Sequence, residues 1–141
     1  IFKKECEEEI KIIREKMGAE HWKKEKLEII ISPSDIGIHN IIETQNRSYF
    51  IDFEYAGYDE VTKLALDIVM QPRHRLGNKE EEIVIEGLSE RLKLNSDWRK
   101  RYEDAKKIQK IIWTTIILQG CKNEESFNSI LKKAKKYFEM Y

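Results

Sequence analysis

The chain has 141 residues, a length typical of one domain, and its 26 basic and 26 acidic side chains give a formal net charge of zero at pH 7. A balanced charge lacks the basic excess that usually accompanies nucleic-acid or anionic-membrane binding, so we expect neither partner. Two cysteines do not make a disulfide framework, which favours a reducing cytoplasm, and the longest apolar run, Ile111 to Leu118, is too short for a transmembrane helix.

Apolar spacing predicts a mainly helical chain with one small β element. Residues at steps of three and four predict a helix over residues 2–17. Short apolar, β-branched runs then predict a buried strand over Leu27 to Ile31 and two further strands at Ile41-Ile42 and Tyr49 to Ile51. The polar turn between the last two predicts a hairpin.

After Gly57 the pattern is helical to the end. Capping residues and apolar stripes predict four helices: Asp59 to Met70, Asn78 to about Leu94, Ser96-Asp97 to Gly120, and Asn123 onward. The segment Ile111 to Leu118 is apolar nearly all round, so we expect it at the centre of the core. Trp98 and Trp113 are expected to be core residues and not platforms for a ligand. Cys6 and Cys121 are expected to be small buried side chains. His21 and His74 are expected to lie at the surface.

The stretch over residues 32–57 carries the candidate chemistry. If Asn46 is the midpoint of the turn, Asn40 and Asp52 lie opposite one another, with Cα atoms roughly 4.5–5.5 Å apart. Their side chains then share a face, and two facing oxygen donors suit a hard cation such as Mg²⁺. Asp35, on the loop entering the hairpin, could point at the same centre.

An Asp, four intervening residues, an Asn, a hairpin and an Asp-Phe form the arrangement of kinase catalytic and metal-binding loops. Two segments, Pro33 to Asn40 and Ile51 to Gly57, resemble the signatures of the aminoglycoside phosphotransferase / choline kinase-like small-molecule kinases. The resemblance implies that Asp35 is the catalytic base. It also implies that Asn40 and Asp52 hold Mg²⁺ and, through it, the phosphates of ATP or GTP.

The match departs from the family pattern in two places. Pro33 and Ser34 replace the usual His and Gly before the catalytic Asp. Many relatives also carry an Asp in the helix that follows. The corresponding position in this chain falls near Lys63 or Leu64. Asp67 comes about one turn later, so the role of the family's Asp is not assigned to Asp67. His39 is expected to hydrogen-bond within the loop, and Glu54 and Tyr55 could shape the cleft or simply pack.

The sequence therefore predicts a mainly α-helical chain with a small β-hairpin, the C-terminal lobe of a protein-kinase-like fold over residues 1–141. Catalytic and metal loops would occupy 32–57 and a helical subdomain 58–141. No Gly-x-Gly occurs, and about 31 residues precede the loop, so we expect the N-terminal lobe to be absent from this chain. The predicted function is ATP- and Mg²⁺-dependent phosphorylation of a small-molecule hydroxyl. The alternative is a non-catalytic kinase-like module that binds a ligand or partner, and self-association through the uncovered face is expected.

Overall fold

A computed structural model describes residues 27–74, 76–120 and 124–141, together with six residues near the N-terminus: Lys4, Glu7, Glu8, Lys11, Ile12 and Glu15. These six are helical, as the spacing predicts. The rest of the helix expected over residues 2–17, and the predictions for Cys6, His21 and Cys121, lie outside the described residues.

The described chain is mainly helical with two small antiparallel sheets, which confirms the predicted secondary-structure class. The strands are β1 (Ile29–Ser32), β2 (Ile41–Glu43), β3 (Ser48–Phe50) and β4 (Gly57–Glu60). The helices are α1 (Val61–Val69), α2 (Asn78–Leu92), α3 (Asp97–Gln119) and α4 (Glu124–Met140). The chain divides into two compact units, one of residues 27–102 and one of residues 1–26 and 103–141. Among the described residues, no helix is long and apolar enough to cross a membrane.

Strand β1 pairs with β4, a strand that the sequence did not predict. The prediction that β1 is buried is wrong, because Ile29 and Ile31 are 57% and 77% exposed while Ser32 is fully buried. Alternate residues of a strand face opposite sides, and this two-stranded sheet is covered on one side. The run of three isoleucines in β1 therefore does not mean that both faces of the strand are buried.

Strands β2 and β3 form the predicted hairpin, but its register differs from the expected one. Ile41 pairs with Phe50, and the Thr44 N–H donates to the Arg47 carbonyl at 2.8 Å, which closes a two-residue loop. The midpoint therefore lies between residues 45 and 46. Extending this register places Asn40 opposite Ile51 rather than Asp52, so the predicted direct pairing of Asn40 with Asp52 is wrong by one residue.

Helix α1 begins one residue after Glu60, whose Oε2 accepts from the Thr62 N–H at 2.7 Å. The cap is therefore Glu60, not Asp59, because Glu60 directly precedes the first helical residue and its side chain accepts the hydrogen bond. The helix packs against α2 and ends before Pro72. His74 follows it and is 9% exposed, with its Nε2 against the Ile68 carbonyl, so the prediction of a surface histidine is wrong.

The core of the 27–102 unit forms around α1, with α2 and the first turns of α3. Polar contacts join helix α3 to α2: the Tyr102 hydroxyl donates to Glu81 Oε1 at 2.8 Å, and Arg99 donates twice to the Glu82 carboxylate at 2.6 Å. Trp98 is 1% exposed, which confirms its predicted core position. The buried apolar side chains of this unit are Val61, Ala65, Leu66, Val69, Met70, Ile85, Trp98 and Tyr102.

In the other unit, the remainder of α3 and helix α4 provide the described buried residues Thr114, Ala134, Tyr137 and Phe138. Lys110 Nζ lies 4.0 Å from the centroid of the Phe138 ring, a close cation–π contact between the two helices. The expectation that Ile111 to Leu118 lies at the core centre is wrong, since Ile112 and Ile116 are 44% and 46% exposed. A helix that is apolar all round still buries only the faces that other elements cover.

Candidate functional site

Asp35 lies in the loop between β1 and a short 3₁₀ helix (Ile38–Asn40). Its Oδ1 accepts a hydrogen bond from Gln71 Nε2 at 3.2 Å, and its Oδ2 lies 3.5 Å from His39 Nε2. The Asp35 side chain is nevertheless 39% exposed. The carboxylate is thus oriented from within the protein and still open to a molecule arriving from solvent, as a proton acceptor must be.

Asn40 closes the loop that carries Asp35. It is 5% exposed, and its Nδ2 donates to the backbone carbonyl of Asp35 at 2.9 Å. The Asn40 backbone N–H also donates to the Gly37 carbonyl at 2.9 Å. Because Nδ2 is engaged, the orientation of the amide is fixed, and among the described residues no group donates to Oδ1. That oxygen remains available to a ligand.

Asp52 follows β3 closely and has a φ of 65°, in the left-handed region that non-glycine residues rarely adopt. The preceding residue, Ile51, donates its N–H to the Asn40 carbonyl at 2.9 Å. Asp52 therefore follows the residue that bonds to Asn40, and the backbone leaves the strand direction at Asp52 instead of continuing the cross-strand pairing. Such strained residues concentrate at functional sites, where the surrounding structure must stabilise them.

The donor set fits the Mg²⁺ that the family resemblance implies. Mg²⁺ is commonly bound by one or two carboxylates, with waters and substrate phosphates completing its coordination. Exposed Asp52 supplies a carboxylate and the fixed amide of Asn40 supplies a neutral oxygen. Within the described part of the chain, no group of three or more His, Cys, Asp or Glu side chains is arranged to hold a metal ion by itself.

The charge of Asp35 acts on two titratable groups, Tyr55 and Asp67. The pKa of the exposed Tyr55 phenol is raised, mainly by its hydrogen bond to Glu54 and further by the charges of Asp52 and Asp35. Both carboxylates thus act on one phenol. Burial raises the pKa of Asp67, partly offset by Lys63, and Asp35 adds to the increase. A cation placed here would lower the repulsion among these groups.

Two residues of this site were not identified from the sequence. Gln71 is 5% exposed and donates to Asp35 from beyond the end of α1. Lys63 Nζ reaches Ser34 Oγ, next to Asp35, at 3.0 Å. The spacing of four residues from Lys63 to Asp67 could have indicated an ion pair, but no sequence signal places either residue beside the loop.

In comparisons with known proteins, no family model, no curated protein and no solved structure matches this chain.

Proposed function

We propose that this chain is the C-terminal lobe of a kinase-like enzyme that transfers a phosphoryl group from ATP or GTP to a hydroxyl of a small molecule. The observation that carries the proposal is the closed loop from Asp35 to Asn40, which Asp52 follows after the β2–β3 hairpin. The Asn40 amide is bonded to the backbone of Asp35, so one short segment fixes a candidate base and a candidate metal ligand together.

In the proposed reaction, Asp35 accepts the proton of the acceptor hydroxyl as its oxygen forms a bond to the γ-phosphorus. The bond between that phosphorus and the bridging oxygen of the nucleotide breaks, and the nucleoside diphosphate leaves. Gln71 and His39 orient the Asp35 carboxylate from within the protein. Asn40 and Asp52 would hold Mg²⁺, which supplies positive charge for the phosphate oxygens.

Variants of the catalytic and metal residues test the assignment in the longest natural form of the protein, with hydroxyl compounds screened as acceptors. We expect Asp35→Asn to lower kcat by about 10²–10⁴-fold while sparing Mg·ATP binding, because it removes proton acceptance and little else. Asp52→Ala should weaken Mg²⁺-dependent nucleotide binding as well as turnover. His39→Ala should do much less than either. Near-normal kcat in Asp35→Asn with loss of activity in His39→Ala would show the assignment to be wrong.

Metal binding can be tested in the 141-residue chain itself. Paramagnetic Mn²⁺, which shares the oxygen ligands of Mg²⁺, should broaden the amide NMR signals of Asn40 and Asp52 before others. Asp52→Asn should remove this broadening, and the control Asp104→Asn, in α3, should not. Equal broadening in both variants would contradict the metal assignment.

A non-catalytic module that binds a partner is the second candidate function. The observation in its favour is the exposed apolar surface of the β1–β4 sheet, where Ile31 and Tyr58 are 77% and 81% exposed. Calorimetric titration of Mg·ATP distinguishes the two functions, because a module of this kind has no need of the nucleotide.

A further inference from the structure

The loop that carries Asp35 is held in a strained conformation. Ser34 has a φ of 65°, which a residue with a Cβ adopts at a cost of about 1–3 kcal/mol. Its N–H donates to the hydroxyl of buried Ser32 at 3.0 Å, and the Asp35 N–H donates to the Pro33 carbonyl at 2.9 Å. The direction in which the chain presents Asp35 therefore depends on whatever stabilises Ser34.

Lys63 contacts this strained residue from helix α1. Its ammonium donates to Ser34 Oγ at 3.0 Å, to Asp59 Oδ2 at 3.0 Å and to Asp67 Oδ2 at 2.8 Å. An ammonium has three donors, and these three bonds use all of them. The two carboxylates belong to β4 and α1, and together they fix the position of Nζ. The third N–H donates to Ser34, which lies 29 residues earlier in the chain.

The protonated state of Lys63 is consistent with its three hydrogen bonds. Partial burial lowers the pKa of Lys63, but the hydrogen bonds and charges of Asp67 and Asp59 outweigh it and raise the pKa overall. Lys63 is therefore a cation throughout the neutral range. A neutral amine could not donate three hydrogen bonds at once.

We propose that Lys63 is a positioning residue for the Asp35 loop: its bond to Ser34 Oγ stabilises the left-handed backbone that directs the Asp35 carboxylate outward. The inference rests on the proposed function, since the positioning matters only if Asp35 is the base. Lys63 acts through Ser34, because its three hydrogen bonds go to Ser34, Asp59 and Asp67 rather than to Asp35.

The alternative to this role is a simple ion pair. The ion pairs of Lys63 with Asp59 and Asp67 would then stabilise the start of α1 without affecting the loop. Exposed ion pairs spaced by four residues stabilise helices only slightly. The two roles differ in one respect. A positioning role requires the effect of Lys63 to depend on the residue at position 34, whereas a simple ion pair does not.

A double-mutant cycle on the 141-residue chain tests this dependence by NMR. Lys63→Met should shift the amide signals of Ser34 and Asp35 and change the HN–Hα coupling constant of Ser34. Lys63→Arg, which keeps the charge and donors, should shift them less. In the Ser34→Gly background, where glycine adopts positive φ without strain, Lys63→Met should have little effect on the Asp35 signal. Lys79→Met, on the exposed start of α2, is the matched control and should leave the loop signals unchanged.

The catalytic consequence is tested by turnover in the longest natural form. We expect Lys63→Met to lower kcat by roughly tenfold or more with little change in KM for Mg·ATP, because Asp35 is misplaced while the metal ligands remain. Ser34→Gly should reduce this loss, and Lys63→Arg should restore most of the rate. Circular dichroism of each variant checks that it is folded.

Two results would overturn the inference. One is an Asp35 amide signal that Lys63→Met leaves unmoved in the folded protein; the other is an equal effect of Lys63→Met in the wild-type and Ser34→Gly backgrounds. A wild-type protein that transfers no phosphoryl group, but still shows the NMR coupling, would instead overturn the proposed function and with it the catalytic role of Lys63.

Discussion

At the residue scale, the site depends on close packing around Gly37. A Cβ built on Gly37 would lie 2.5 Å from His39 Nδ1 and 3.3 Å from Gln71 Nε2, the two side chains that orient Asp35. The φ of Gly37 is −120°, which any residue can adopt, so the requirement for glycine is purely steric. Space at this position is what lets both groups reach the carboxylate together.

We therefore predict that Gly37→Ala destabilises the protein by about 1–3 kcal/mol, since His39 and Gln71 must move to admit the methyl group. Urea denaturation measures the loss, and the NMR signals of the His39 ring report its displacement. Gly57→Ala is the control, because a Cβ there would meet nothing within 4 Å. Equal stability of the two variants would show that the packing at Gly37 is unimportant.

At the element scale, Glu60 performs two tasks at the start of α1. One carboxylate oxygen caps the helix through the Thr62 N–H, and the other lies 3.7 Å from Nη2 of Arg101 on α3. Arg101 is 4% exposed, so its guanidinium is charged in a place with little water. The same side chain thus begins a helix and balances a buried charge on a neighbouring one.

We predict that Glu60→Ala costs more than an ordinary cap, above about 2 kcal/mol, because it also takes this balancing charge away from Arg101. Glu80→Ala is the matched control. It removes the Glu80 Oε2 contact to the exposed Gly77 N–H, 2.9 Å long, and should cost about 1 kcal/mol. Urea midpoints of both variants give the comparison. Similar losses would mean that the Arg101 contact contributes nothing.

At the scale of the whole molecule, the β1–β4 sheet presents apolar side chains to solvent. Ile31 and Tyr58 are partners across the two strands, and Ile29 is exposed beside them. Both strands of a two-stranded sheet also have one unpaired edge. Exposed apolar surface next to open strand edges favours association with another chain.

We predict that the chain associates with itself at high protein concentration through this sheet. Ile31→Lys should weaken the association by about tenfold or more, because the lysine would have to be buried in the contact. Ile83→Lys, on α2 at 68% exposure, changes a similar apolar residue elsewhere and should leave it intact. Sedimentation equilibrium measures both variants, and a strictly monomeric wild-type chain would refute the prediction.

The sequence by itself determined the local features. Apolar residues at steps of three and four specified the helices, and two β-branched runs around a polar turn specified the β2–β3 hairpin, because these patterns depend on neighbours along the chain. Asp35, Asn40 and Asp52 could be grouped for the same reason, since they lie within one short segment.

Tertiary structure decided what the local pattern leaves open. Strand β4 exists because it pairs with β1, and the exposure of Ile31 depends on which face of that sheet is covered. Contacts between distant residues bring Gln71 and Lys63 to the Asp35 loop, and no spacing along the chain encodes such contacts. The hairpin register and the left-handed backbone at Asp52 also depend on hydrogen bonds and packing around them, which form only when the chain has folded.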